Sequence, residues 1–175
     1  ENAQPAIMAV SMAVIRVLEI DFQVSFKEKI NYFAGHSLGE YTALAAAKSL
    51  SLSDVAKILF FRGENMQKSA NKNKTAMAAF MGADINKIKK IAEKFSSQSV
   101  ICDIANYNTD NQVVLSGDEN AIEEAVAEAK KENIKALRLE VSAPFHSSYM
   151  KDTAYALKEE FQKYIFDLPT VQIIS

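Results

Sequence analysis

Five residues constrain the fold of this chain more than any others: Gly35-His36-Ser37-Leu38-Gly39, placed between a β-prone run and an alanine-rich run. The preceding run, Ile30-Asn31-Tyr32-Phe33-Ala34, reads as a short strand that stops at Gly35. The following run, Leu38 to Lys48, has no helix breaker after Gly39 and reads as a helix. A strand that becomes a helix over so few residues has no room for an ordinary loop. The spacing G-x-S-x-G meets that need, because its glycines let the backbone turn sharply and leave the serine hydroxyl exposed at the apex. The pattern predicts an α/β architecture with Ser37 as candidate nucleophile; a plain glycine-rich turn is the alternative.

The rest of the chain divides around a change of texture. Before the elbow, the apolar run from Pro5 to Ile15 predicts a helix that is apolar nearly all round and therefore buried. That run is interrupted at Arg16 and is shorter than the roughly 20 residues of a membrane span, and it lacks the basic start and small-residue end of a signal peptide. After the elbow, Ser53-Asp54 offers a cap for a helix from Val55 to about Ser69, and Asn71-Lys72-Asn73-Lys74 reads as a solvated loop. From Thr75 the pattern becomes β at 75–83, α at 84–95, β at 99–105, β at 112–117, α at 118–131 and β at 135–141. This βαββαβ order predicts a ferredoxin-like subdomain at 75–141, with both helices on one face of its sheet. Residues 1–74 and 142–175 then form the main body, where 148–164 reads as a helix and 169–174 as a strand.

Composition narrows the function. With 20 Lys+Arg against 22 Asp+Glu the net charge is −2, which argues against a dedicated nucleic-acid binder. A hydrophobic share of 49% with 24% charged residues excludes a disordered chain. Cys102 is the only cysteine, which excludes an internal disulfide and a cysteine-cluster metal site and suits a reducing compartment.

A serine is a weak nucleophile at neutral pH without a base. His36 is adjacent to Ser37 and points elsewhere, so His146 is the remaining histidine for that role. It lies in the Pro-marked segment Ala143-Pro144-Phe145-His146-Ser147-Ser148, where a surface histidine is the alternative reading. At helical spacing, Val55, Ile58, Leu59, Arg62 and Met66 share one face, which puts a guanidinium inside an apolar stripe. Either Arg62 reaches the rim of that stripe, or its planar fork holds a substrate carboxylate beside Ser37.

Four separated motifs carry a resemblance: Gly35-His36-Ser37-Leu38-Gly39-Glu40-Tyr41; Phe61-Arg62-Gly63 with Met66-Gln67; Asn106-Tyr107-Asn108 before Gln112-Val113-Val114; and Pro144-Phe145-His146-Ser147. In this order, through essentially the whole chain, they resemble the malonyl-CoA:acyl carrier protein transacylase family of bacterial fatty acid synthesis. The resemblance implies an α/β-hydrolase-like body, a parallel sheet with helices, carrying the ferredoxin-like insertion. It implies malonyl transfer from malonyl-CoA to the phosphopantetheine thiol of acyl carrier protein, with Ser37 as nucleophile and His146 as base. It further implies Arg62 on the malonyl carboxylate, the Leu38 N–H at the oxyanion, Met66 among the substrate-binding residues, and Asn106 and Asn108 along the substrate channel. A strand end turning into a hairpin is the other reading of the two asparagines. Lys135 and Arg138 either meet coenzyme A phosphates or form a solvated charged edge.

No permanently bound cofactor, no metal, no nucleic acid and no membrane are expected, and the implied protein is a cytoplasmic monomer. The family opens with a strand and a glutamine-bearing loop and ends beyond the final strand with an asparagine-bearing segment. The chain is accordingly expected to be the central portion of an enzyme of roughly 300 residues, without part of the oxyanion hole or the orienter of the histidine. A serine thioesterase or esterase, a polyketide-synthase acyltransferase domain and a carrier-binding module without chemistry are the rivals.

Overall fold

The computed structural model describes residues 2–70, 74–141 and 143–175, arranged in two compact units. The first unit comprises residues 1–64 and 156–175, the second 65–155. Of the loop expected at 71–74, all but Lys74 lies outside the described residues, as does Ser142 in the return segment.

The first unit is an α/β assembly around a parallel pair of strands. Helix α1 (Ala3–Ile20) and a one-turn helix α2 (Phe26–Lys29) precede strand β1 (Tyr32–Ala34), and α3 (Leu38–Ala46) follows the elbow. The long α4 (Leu52–Ala70) runs from this unit into the second, and α7 (Lys151–Phe161) returns to it before β6 (Gln172–Ile174). β6 lies parallel to β1, with Phe33 opposite Ile173. The core gathers Met8 and Met12 of α1, Ala45 and Ala46 of α3, Val55, Ile58 and Leu59 of α4, and Leu157 of α7.

Three expectations for this unit are corrected. α1 is 18 residues long, longer than the run from Pro5 to Ile15, and by length and composition it could span a membrane. Nor is it buried all round: Met8 and Met12 are its buried residues, whereas Ile7, Val10, Val14, Val17 and Ile20 are exposed, Val10 by 67%. α3 packs along one side of α1, and an apolar sequence states what can be buried, not what is present to cover it. The open face continues into a groove of about 590 Å³ lined by Ile7, Val10, Val14, Phe33, Leu38 and Thr42, among others. The cap of α4 is also one turn earlier than expected. Ser51 Oγ accepts the Asp54 N–H at 3.0 Å and donates to the Asp54 carboxylate at 2.7 Å, so the serine three residues before Asp54 closes the end.

The second unit holds an antiparallel sheet of order β3-β4-β2-β5, built from β2 (Thr75–Met81), β3 (Cys102–Thr109), β4 (Gln112–Asp118) and β5 (Lys135–Arg138). Helices α5 (Ile85–Phe95) and α6 (Glu119–Lys131) both pack on one face. Alternation on β2 explains this: Ala76, Ala78 and Phe80 meet the helices, while Met77 and Ala79 turn to the other face, toward Val114, Leu139 and Phe145. β3 starts at Cys102 rather than 99, because Ser97 Oγ takes the N–H groups of Ser99 and Val100 and bends the chain first. The helix expected at 148–164 opens as a 3₁₀ turn at Ser148–Met150 before α7 begins.

Candidate active site

Ser37 stands between the last residue of β1 and the first of α3 with φ 55° and ψ −109°. A non-glycine residue in that conformation is strained, and the surrounding turn holds it there. Gly39 N–H donates to the His36 carbonyl at 2.9 Å, and Glu40 N–H to the Ser37 carbonyl at 3.2 Å. Gly35 lets the two arms close: a Cβ there would lie 1.9 Å from the Gly39 carbonyl carbon. Leu38 opens α3, so its N–H is one of the helix N-terminal donors that no carbonyl of the same helix accepts. His36, next in line to the serine, is exposed.

Arg62 is brought to Ser37 by α4. Val55, Ile58, Leu59, Arg62 and Met66 are all buried along one face of that helix, and the guanidinium does not reach a rim: Arg62 is only 7% exposed. Its Nη2 donates to Ser37 Oγ at 2.9 Å and its Nη1 to the Gln4 side-chain oxygen at 2.5 Å, while the Tyr41 ring centroid lies 5.4 Å from its Cζ. These contacts are with neutral groups. Burial pulls the Arg62 guanidinium below its ordinary value, and Tyr41 and then Glu40 partly offset that. The Tyr41 phenol is in turn raised by burial, with the Arg62 charge opposing. The sequence assigns no task to Gln4 or Tyr41, although Tyr41 closes the first of the four motifs. Tyr41 lies one helical turn beyond Ser37, a spacing that could have suggested it; nothing in the sequence singles out Gln4.

The other candidate residues belong to the second unit. His146 is exposed in the turn before the 3₁₀ segment, with φ 59°. Across it, Ser147 Oγ donates to the Pro144 carbonyl at 2.7 Å. Met66 is buried on α4. Asn106 and Asn108 lie on β3 at two register shifts, where that strand gains residues against β4. Asn108 donates to the Gln112 side chain at 3.0 Å, an arrangement suited to the hairpin. Arg138 is engaged by Glu123 at 2.6 Å and Glu119 at 2.5 Å, as in a solvated charged edge; Lys135 is exposed at the start of β5. Burial pushes the Cys102 thiol up to about 12. Among the described residues, no group of three or more His, Cys, Asp or Glu side chains could hold a metal ion.

The chain as a whole has close counterparts among known proteins. A family model described as an acyl transferase domain matches residues 1–175. A malonyl CoA-acyl carrier protein transacylase of Bacillus subtilis is 40% identical over 162 residues, covering 90% of this chain and 49% of the relative. The crystal structure of an acyl-carrier-protein-S-malonyltransferase from Bartonella henselae superposes with a TM-score of 0.92 at 43% identity, covering 99% of this chain and 55% of that one. A malonyl-transacylase solved in complex with its type II polyketide acyl-carrier protein superposes with a TM-score of 0.90 at 31% identity, over 98% of this chain and 54% of its own. The chain spans about half the length of these relatives. With the whole of its length matched and its α/β fold shared, the chain belongs to the acyl transferase domain family.

Proposed function

We propose that the protein carrying this domain transfers malonyl groups from malonyl-CoA to the phosphopantetheine thiol of acyl carrier protein, for fatty acid synthesis. The hydrogen bond from Arg62 to Ser37 Oγ is the observation that carries this reading. A nucleophile with a buried cation on its hydroxyl is suited to an acyl group that bears a carboxylate one methylene from its reactive carbonyl. A hydrolase of uncharged esters has no use for that cation. The relatives' names agree, and one relative is held with an acyl-carrier protein.

In the proposed cycle Ser37 Oγ attacks the thioester carbonyl of malonyl-CoA as His146 takes its proton. The Leu38 N–H, at the positive end of α3, stabilises the tetrahedral oxyanion. The carbon–sulfur bond then breaks, and coenzyme A leaves with the proton returned by His146. The malonyl-serine ester is next attacked by the carrier thiol, whose proton goes to His146, and Ser37 leaves and recovers it. Arg62 receives the malonyl carboxylate in both halves through its planar fork. Asn106 and Asn108 line the channel along which substrate arrives, and Met66 adds to the substrate contacts.

In this reading residues 1–74 and 142–175 form an α/β-hydrolase-like body, and 75–141 a ferredoxin-like subdomain. The antiparallel order β3-β4-β2-β5 with both helices on one face supports the latter. No cofactor stays bound, nucleic acid and membrane are not partners, and the protein works as a cytoplasmic monomer.

The test is intact mass after incubation with malonyl-CoA, followed by addition of phosphopantetheinylated acyl carrier protein. A malonyl adduct on the wild type, absent from Ser37→Ala and passed to the carrier, is expected. Release of free malonate in preference to malonyl-carrier would instead mark a thioesterase.

A further inference from the structure

The turn that presents His146 is tied down by two carboxylates from the neighbouring sheet. His146 itself has φ 59°, a left-handed conformation that a histidine leaves unless its surroundings hold it. The tie comes two residues later, where Asp103 Oδ2 accepts both the Ser148 N–H at 2.7 Å and the Ser148 hydroxyl at 2.6 Å. A second follows at the next residue, where the Tyr149 hydroxyl donates to Asp118 Oδ1 at 2.6 Å. Asp103 is on β3 and Asp118 ends β4, so both anchors stand on adjacent paired strands.

Asp118 shows that this arrangement is selected over a commoner one. It occupies the position before α6 where an aspartate ordinarily caps the helix, yet its side chain makes no cap hydrogen bond. Its two oxygens instead take the Tyr149 hydroxyl and, at 2.7 Å, the Ile101 N–H. The carboxylate thereby joins the start of β3 to the segment after His146. All of these groups lie within the second unit.

We propose that Asp103 is a positioning residue for His146, with Asp118 as the second anchor of the same turn. The proposal rests on the reading of His146 as the base. Asp103 fixes the Ser148 backbone after the histidine, Asp118 holds the Tyr149 side chain, and the 2.7 Å bond of Ser147 Oγ to the Pro144 carbonyl closes the turn across it. With both sides held, the imidazole keeps one direction as it accepts and returns the proton; released, the turn relaxes out of the left-handed region and the ring is re-aimed.

The test compares Asp103→Ala, Asp103→Asn, Tyr149→Phe and His146→Ala in the purified protein by malonyl transfer, single-turnover acylation and thermal melting. Asp103→Ala is expected to lower kcat and the acylation rate together by roughly tenfold or more, the scale of a misplaced reacting group, with KM for malonyl-CoA unchanged. Asp103→Asn restores most of the rate, because its side-chain oxygen can still accept both Ser148 bonds. Tyr149→Phe repeats the signature at smaller amplitude, and decides the matter if Asp103→Ala does not fold. Unchanged kcat in these variants overturns the proposal, as does a loss that asparagine fails to restore. If His146→Ala keeps the wild-type rate, the base assignment fails; if it collapses while Asp103→Ala is fully active, only the positioning role fails.

Discussion

Arg62 donates a hydrogen bond to the hydroxyl of Ser37 at 2.9 Å, joining a cation buried on α4 to the apex of a strand–helix turn. The two are 25 residues apart in sequence, and each is held from behind: Arg62 by Gln4, Ser37 by its turn. A charge kept so far from water is costly unless something negative arrives to meet it. The malonyl carboxylate is the proposed arrival.

Arg62→Ala is therefore expected to change selectivity more than turnover. Loss of a charge-assisted fork lowers kcat/KM for malonyl-CoA by about 2–3 kcal/mol, close to a hundredfold, and leaves acetyl-CoA comparatively unaffected. Parallel kinetics with both thioesters check this. Equal losses on the two substrates would remove Arg62 from the carboxylate site.

The two glycines of the elbow are expected to respond in opposite ways. A Cβ at Gly35 would collide with the Gly39 backbone, whereas one at Gly39 has nothing within 4 Å. Gly35→Ala should cost several kcal/mol or prevent folding, the usual consequence of a forced overlap with backbone. Gly39→Ala, in the first turn of a helix, should leave stability within about 1 kcal/mol of wild type or raise it. Urea melts of the two variants separate the cases.

Cys102 should be chemically silent in the folded protein. It is 2% exposed and its thiol is pushed up to about 12 by burial first and Asp103 second, so the reactive thiolate is scarce at pH 8. Labelling with iodoacetamide at pH 8 is expected to stall in buffer and to proceed to one adduct in denaturing urea. Fast modification of the native protein would contradict the packing around β3.

Acid should loosen both units through different carboxylates. Hydrogen bonds from Ser51 and then Lys57 hold Asp54 below the usual carboxylate range in the first unit; bonds from Arg138 and from Lys94 do the same for Glu119 and Glu128 in the second. A carboxyl whose folded value is lowered adds stability that is complete above its unfolded value and disappears as pH falls through the folded one. Melting temperatures should thus hold from neutrality to about pH 5 and decline below about pH 4. High salt should shrink the decline, since these half-buried carboxylates remain in reach of solvent.

Much of this was legible before any coordinates. The elbow announced itself because strand, glycine pair and helix follow one another in five residues, and the Arg62 stripe because helical period is set by backbone geometry alone. The βαββαβ order was visible for the same reason, as each element switched period where its turn residues stood. What escaped was decided between elements. Val10 and Val14 are as apolar as Met8 and Met12, yet no sequence rule says which side of α1 meets α3. Ser51 and Ser53 are equally good caps by residue type, and Asp118 stands at a cap position while its carboxylate goes to Ile101 and Tyr149. Gln4 entered the site only through a tertiary contact.

Among the five described non-glycine residues with positive φ are Ser37 and His146. Glycine would sit more comfortably at both, since it alone adopts that region freely. A search for stability by substitution, run without regard to activity, would drift toward glycine at these positions. At Ser37 and His146 the protein thus keeps a side chain against the conformational preference of its own backbone, and comparing the melting points of Ser37→Gly and Ser37→Ala would put a value on that preference.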